Sequence, residues 1–307
     1  MVAVVTAAGC GGAPADRSAA VDADSAQAEA AFAQNAPVPA DTSQAARASR
    51  ALALLPPLRD SLRVALLPDS GTPDADVRAL EQRAALETRV RQLAREFDDS
   101  VFQVALWPQG WRGYQLRRSL VAAGMPLPDS AAAEARADSL VATLRRHGVW
   151  TWRAEGDAYL ALSESWLLDG IAPLLTTGTR TFLSLMAVEQ ETPAAEDASI
   201  QVGWDGLAER LAAMDGLIAA HPGAPFLPEA VRARGWYRGL YLRGTDNTPA
   251  FGRRTGTLDP VVRASFEDFI VRHGHLPVAA EVREYVSLLR AEGWRRTAAV
   301  TAYLRSM

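Results

Sequence analysis

Met214-Asp215-Gly216-Leu217-Ile218-Ala219-Ala220-His221-Pro222-Gly223-Ala224-Pro225 decides the reading of this chain. A second stretch, Phe266-Glu267-Asp268-Phe269-Ile270-Val271-Arg272-His273-Gly274-His275-Leu276-Pro277, repeats its pattern 52 residues later. At that offset Asp215 meets Glu267, Leu217 meets Phe269, Ile218 meets Ile270, His221 meets His273 and Pro225 meets Pro277. Glu229 then meets Glu281, and Arg238 meets Arg290. In each copy an apolar stripe of helical spacing runs into His-x-x-x-Pro. Proline cannot continue a helix but suits the first turn of the next one. The glutamate four residues on faces the positive end of that second helix. Residues 205–244 and 257–293 are therefore expected to be two αα-hairpins, each burying one face against its neighbour.

Working outward, a helix capped by Ser165 is expected to about Leu175, and another from Thr179 to about Glu191. A polar connection over 192–203 leads to a helix near Trp204-Asp205, and 297–305 closes the array. Towards the N-terminus, helices are expected over 50–66, 74–97, 113–123 and 130–146, the last capped by Ser130 and stopped by Gly148. Val101–Trp107 fits either a short strand or the lead into a loop. Val149–Ala154 and Ala158–Leu162 are rich in β-formers and flank Glu155-Gly156-Asp157, which predicts a β-hairpin. Trp150 and Trp152 would share one face, expected to be the buried one, with an aromatic ligand platform as the alternative. The fold class expected is mainly α, a helical-hairpin array with one small β-hairpin near 149–162 and a disordered N-terminal tail.

Residues 11–49 read as a flexible linker. Gly, Pro, Ala, Asp and Gln dominate, and Phe32 is the only large apolar side chain between Val21 and Val38. Such a segment buries too little apolar surface to offset its ordering entropy. About 40 residues of this kind span roughly 30–40 Å on average. The remainder divides into a helical N-terminal region with the hairpin, 50–164, and a helical-repeat region, 165–307. The chain is 49% hydrophobic and 22% charged with net charge −4, and all 32 basic residues are arginine. That balance carries no nucleic-acid footprint. No apolar run after the tail is long enough to cross a bilayer.

The paired stretches resemble tetratricopeptide-like repeats of bacterial envelope lipoproteins, in which a similar phrase joins two helices. The resemblance covers about 205–293. Its period departs from the roughly 34 residues of that repeat, and the excess falls in the loop Gly244–Gly256. It implies a stacked helical scaffold that binds a protein or peptide. Ala7-Ala8-Gly9-Cys10, following Val2-Ala3-Val4-Val5, resembles a lipobox. That resemblance implies lipidation of Cys10, a truncated signal or lipobox-like segment over 1–10, and a lipid anchor holding the body on the extracytoplasmic side of a bacterial membrane. Cys10 is the only cysteine, so no disulfide forms within the chain.

No catalytic residue is assigned, and no metal or cofactor is expected. His273-x-His275 lacks further ligands at metal-binding spacing, and no hydrolase or nucleotide-binding motif is present. The weak candidates for partner contact are Arg234, Trp236, Tyr237, Arg238 and Tyr241 on one helix, with Asp246, Asn247 and Phe251 in the long loop beside it. Aromatic–arginine patches suit protein or peptide contact; the competing reading is that the rings pack the repeat core. The enzymatic alternative is a cell-envelope hydrolase using Glu155 and Asp157 in a cleft between the two regions.

Overall fold

The computed structural model describes residues 55–96, 109–125, 129–154 and 157–307. The molecule is mainly helical. In chain order the helices are α1 (Leu55–Leu66), α2 (Pro73–Glu96), α3 (Trp111–Ala122) and α4 (Ser130–Arg146). Strands β1 (Val149–Ala154) and β2 (Asp157–Leu162) follow, then α5 (Glu164–Ile171) and α6 (Thr177–Glu191). A two-residue pair, β3 (Ala195–Glu196) and β4 (Ser199–Ile200), precedes α7 (Gly203–Ala220) and α8 (Leu227–Arg243). The chain ends in α9 (Pro260–Arg272), α10 (Pro277–Ala291) and α11 (Ala298–Ser306). The tail, the linker, Cys10 and the Val101–Trp107 segment lie outside the described residues.

Two compact units divide the chain. One comprises described residues within 90–161, and the other joins 56–89 to 162–307. The second unit thus draws in α1 and most of α2, which the sequence reading grouped with the N-terminal region.

In the first unit α4 packs along β1. Asp129 rather than Ser130 caps α4, accepting the N–H groups of Ala131 (2.9 Å) and Ala132 (3.4 Å). The β-hairpin forms as expected, but with its faces reversed. Val149 and Thr151 are buried, whereas Trp152 is 39% exposed and stacks on Tyr159 at 5.3 Å. Arg145 covers Trp150 at 4.7 Å. β-Branched Val149 and Thr151 fill the buried face, and Trp152 stacks on the outer face, where a cross-strand aromatic pair stabilises a hairpin.

In the second unit α5 pairs with α6, α7 with α8, and α9 with α10, while α7 also packs on α6, α9 and α10. Ser163, not Ser165, caps α5 through Trp166 N–H, and Thr176 caps α6 through Thr179 N–H. The core seam runs through Phe182 and Phe226, stacked at 5.0 Å, to Tyr241, Phe266, Phe269 and Tyr285. All six are buried. The two sequence copies differ at the second helix: α10 starts at Pro277, but α8 starts at Leu227 with Pro228 in its first turn, and Pro225 stays in the connecting turn. The copies also differ in burial, since Asp215 is buried and its counterpart Glu267 lies nearer the surface.

Candidate functional site

Two arginines of the second unit, Arg83 and Arg234, each gather carboxylates from other helices. Arg83, on α2, is 4% exposed. Its Nε donates to both carboxylate oxygens of Glu164 at 2.9 and 3.0 Å, and its Nη2 to Glu164 Oε1 at 2.5 Å. Its Nη1 donates to Glu229 at 2.9 Å, while Glu87 lies one turn along α2 at 3.3 Å. A planar guanidinium can serve two carboxylates through two forks at once, which an ammonium cannot. Burial alone would lower the Arg83 pKa, but the charges of Glu164 and then Glu229 outweigh it and hold the group firmly protonated. Burial pushes the Glu164 carboxyl up despite Arg83, with the Glu87 charge adding to the rise. Burial also opposes ionisation of Glu229, but there Arg83 prevails and the pKa falls.

Arg234, on α8, repeats the plan. Its Nε donates to Asp215 Oδ1 at 2.7 Å, and its Nη2 binds Glu281, which Arg238 also binds. The second oxygen of Asp215 accepts Val278 N–H at 2.9 Å, at the start of α10. Glu229 and Glu281, paired in the sequence copies, therefore each receive an arginine from another helix. Sequence reasoning assigned both only to the helix dipole. Their recurrence at the 52-residue offset was the available signal. Neither cluster contains a nucleophile or a histidine. Each is an ionic clamp between helices.

No protein family, curated protein or solved structure matches this chain.

The candidate partner residues separate. Tyr237 and Tyr241 are buried. Tyr237 donates to Glu189 Oε2 at 2.8 Å, and the Tyr241 hydroxyl lies 3.2 Å from Ser265 Oγ. Burial raises both phenol pKa values. Their rings pack the array, Tyr241 against Phe266 at 4.9 Å and Phe269 at 5.6 Å. Phe251 is buried too. These three rings cannot form a free contact surface: helix pairing covers Tyr237 and Tyr241, and the loop folds back over Phe251, which bridges to Leu258. Trp236 is half-buried against Tyr237 at 5.2 Å. Arg234 and Arg238 are committed to Asp215 and Glu281.

The long loop is pinned down. Asn247 donates its side-chain amide to Asp197 O and its backbone N–H to Ala198 O, both at 2.9 Å. Thr248 Oγ1 accepts Ile200 N–H at 3.1 Å, so the loop rests on the β3–β4 turn. Asp246 is exposed, and its carbonyl accepts Arg253. Gly244 lets the loop turn: at φ 73° a Cβ there would lie 2.4 Å from Thr248 O.

Glu155 lies outside the described residues, and Asp157 is half-buried at the start of β2. Among the described residues no group of three or more His, Cys, Asp or Glu is placed to hold a metal ion. His273 and His275 do not converge on a shared ligand set; His273 Nε2 instead lies 3.4 Å from Glu209 Oε1. Among the described residues no helix is long and apolar enough to cross a membrane.

Proposed function

We propose that the chain is a membrane-tethered, extracytoplasmic scaffold of tetratricopeptide-like helical hairpins. It binds a protein or peptide partner and catalyses no reaction. The observation that carries this reading is the side-by-side packing of α7 on α9, the first helices of successive hairpins. Glu209 of α7 accepts Arg272 of α9 at 2.5 Å, and Asp268 binds the same guanidinium. This row of exposed charges continues across the helix boundary. Val271, 82% exposed, stands beside it. Exposed charge with one protruding apolar side chain suits recognition of an extended segment, with the charges setting orientation and register. The tether rests on the lipobox-like Gly9-Cys10 and the polar linker behind it.

A photo-crosslinking residue placed at Val271 in living cells should capture one discrete partner. The same residue at exposed Val188 or Val231, on α6 and α8, should not. Equal capture from all three positions, or none from Val271, overturns the binding face. Metabolic palmitate labelling, abolished by Cys10→Ala, tests the anchor separately.

A further inference from the structure

We propose that the turn Gly252–Leu258 and the segment Trp294–Arg296 together form a docking face for an anionic phospholipid surface. This goes beyond the partner-binding row on α7 and α9 and does not depend on acylation of Cys10.

Backbone bonds hold the two segments side by side. Leu258 N–H donates to Trp294 O at 2.8 Å, and Arg296 N–H donates to Gly256 O at 2.7 Å. Thr257 and Arg295 form a β-bridge. This brings Arg253, Arg254, Arg295 and Arg296 onto one exposed region. Among the described residues none of the four has a carboxylate within ion-pair distance. Arg253 and Arg295 donate only to the carbonyls of Asp246 and Thr255. Elsewhere in this unit arginines such as Arg83, Arg210, Arg234, Arg238 and Arg272 are neutralised by carboxylates. A chain of net charge −4 thus keeps a cluster of uncompensated positive charge here. The carboxylates of the same region are already engaged or few. Glu267 is shared by Arg263 and Arg290, and Asp259 caps α9 through Val261 N–H. Asp246 and Glu292 are acidic residues near the two segments in sequence.

Trp294 opens the second segment of the face, half-exposed, at φ 60°. That conformation is uncommon for a bulky residue. The guanidinium of Arg263 sits 4.0 Å from its ring centroid and that of Arg290 at 5.9 Å. An indole ringed by arginines is the composition favoured at headgroup level, where Trp sits in the interface and arginine meets phosphate.

The backbone of the face argues against an acidic peptide as occupant. The N–H groups of Gly252, Gly256, Leu258 and Arg296 are all bonded within the structure, and Thr257 N–H is bonded to Thr255 Oγ1. Little of a strand edge remains for peptide augmentation. Side-chain charge and one aromatic ring are what the face offers, and a fluid array of anionic headgroups needs no register.

The test uses the full chain carrying Cys10→Ala, which cannot be acylated, sedimented with phosphatidylcholine vesicles with and without phosphatidylglycerol. Binding is expected only to the anionic vesicles. It should weaken as salt shortens the Debye length from about 10 Å at 0.1 M towards about 3 Å at 1 M. Each basic residue near such a surface contributes roughly fivefold, so Arg254→Gln with Arg296→Gln should lower partitioning about 25-fold. Among the described residues neither side chain makes a hydrogen bond or ion pair, and an unchanged thermal melt checks that the fold does not need them. Arg180→Gln with Arg232→Gln, at exposed positions on α6 and α8, should leave binding unchanged. Equal binding to neutral vesicles, or indifference to the Arg254/Arg296 pair, overturns the proposal. So does binding to polyglutamate without binding to vesicles, which would mark the face as one for an acidic protein. Because this chain carries no acyl group, failure here is distinct from failure of the tether.

Discussion

Asp215 accepts the N–H of Val278 at 2.9 Å while its other oxygen binds Arg234, so one buried carboxylate of α7 caps α10 and anchors α8 at once. Removing it leaves an uncapped helix start and a partly buried guanidinium short of one partner. Asp215→Ala should cost about 3–5 kcal/mol, the range for breaking a buried pair. Asp215→Asn, which keeps an acceptor for Val278, should cost less. Urea unfolding of both variants checks the order; equal midpoints would mean that the cap contributes nothing beyond the charge.

Gly178 leaves a side chain little room. A Cβ there would meet the His221 ring at 3.0–3.1 Å, and that ring is held edge-on to Phe226 with centroids 6.2 Å apart. Gly178→Ala should therefore destabilise by about 1–3 kcal/mol through overpacking. His221→Ala introduced into the same chain should recover part of that loss. The double-mutant cycle reads the coupling directly, and strictly additive effects would assign the cost to something other than this contact.

The helices were legible because their apolar stripes and breakers are local properties. Pro73, Pro260 and Pro277 each open a helix, and His221 and His273 each end one. The β-hairpin was legible for the same reason. Its buried face was not, because alternation shows which residues share a face and not which face a neighbour covers; Val149 and Thr151 turned out to be on the buried one. The clamps on Arg83 and Arg234 were also hidden. Arg83 meets Glu164 and Glu229 across 81 and 146 residues of chain, distances that a local pattern cannot span. Aromatic residues near arginines suggested a contact patch on α8, but Tyr237 and Tyr241 face inward, where both hydroxyls find partners.

Arg83 is the most heavily shared cation of the second unit, so its loss should be felt widely. Arg83→Met removes the cation that Glu87, Glu164 and Glu229 share and should cost about 3–5 kcal/mol. Arg83→Lys should recover little of it, since a point charge cannot fork to two carboxylates. Adding Glu164→Gln and Glu229→Gln to Arg83→Met should restore stability, because like charges are no longer buried together. Guanidinium denaturation of the series gives the ranking; a triple variant as unstable as Arg83→Met alone would show that the shape of the arginine matters more than its charge.

The same clamps predict how stability responds to acid. Burial opposes ionisation of Glu281, but hydrogen bonds from Arg238 and Arg234 outweigh it and hold its carboxyl below the ordinary glutamate value of 4.5. Glu229 is held down by Arg83 in the same way. Below pH 4.5 the unfolded chain therefore takes up protons that these two folded carboxylates refuse, and stability falls as pH falls through their depressed values. Glu164 acts in the opposite sense. Its folded carboxyl, raised by burial, keeps its proton above 4.5 while the unfolded one has already lost it. Its contribution is greatest in acid and declines as pH rises from 4.5 through the raised value. Glu281→Gln should then flatten the acid limb of a plot of urea midpoint against pH, and Glu164→Gln should flatten the decline above 4.5. If Glu164→Gln instead altered only the acid limb, the folded carboxyl would titrate below 4.5, held down by Arg83 rather than raised by burial.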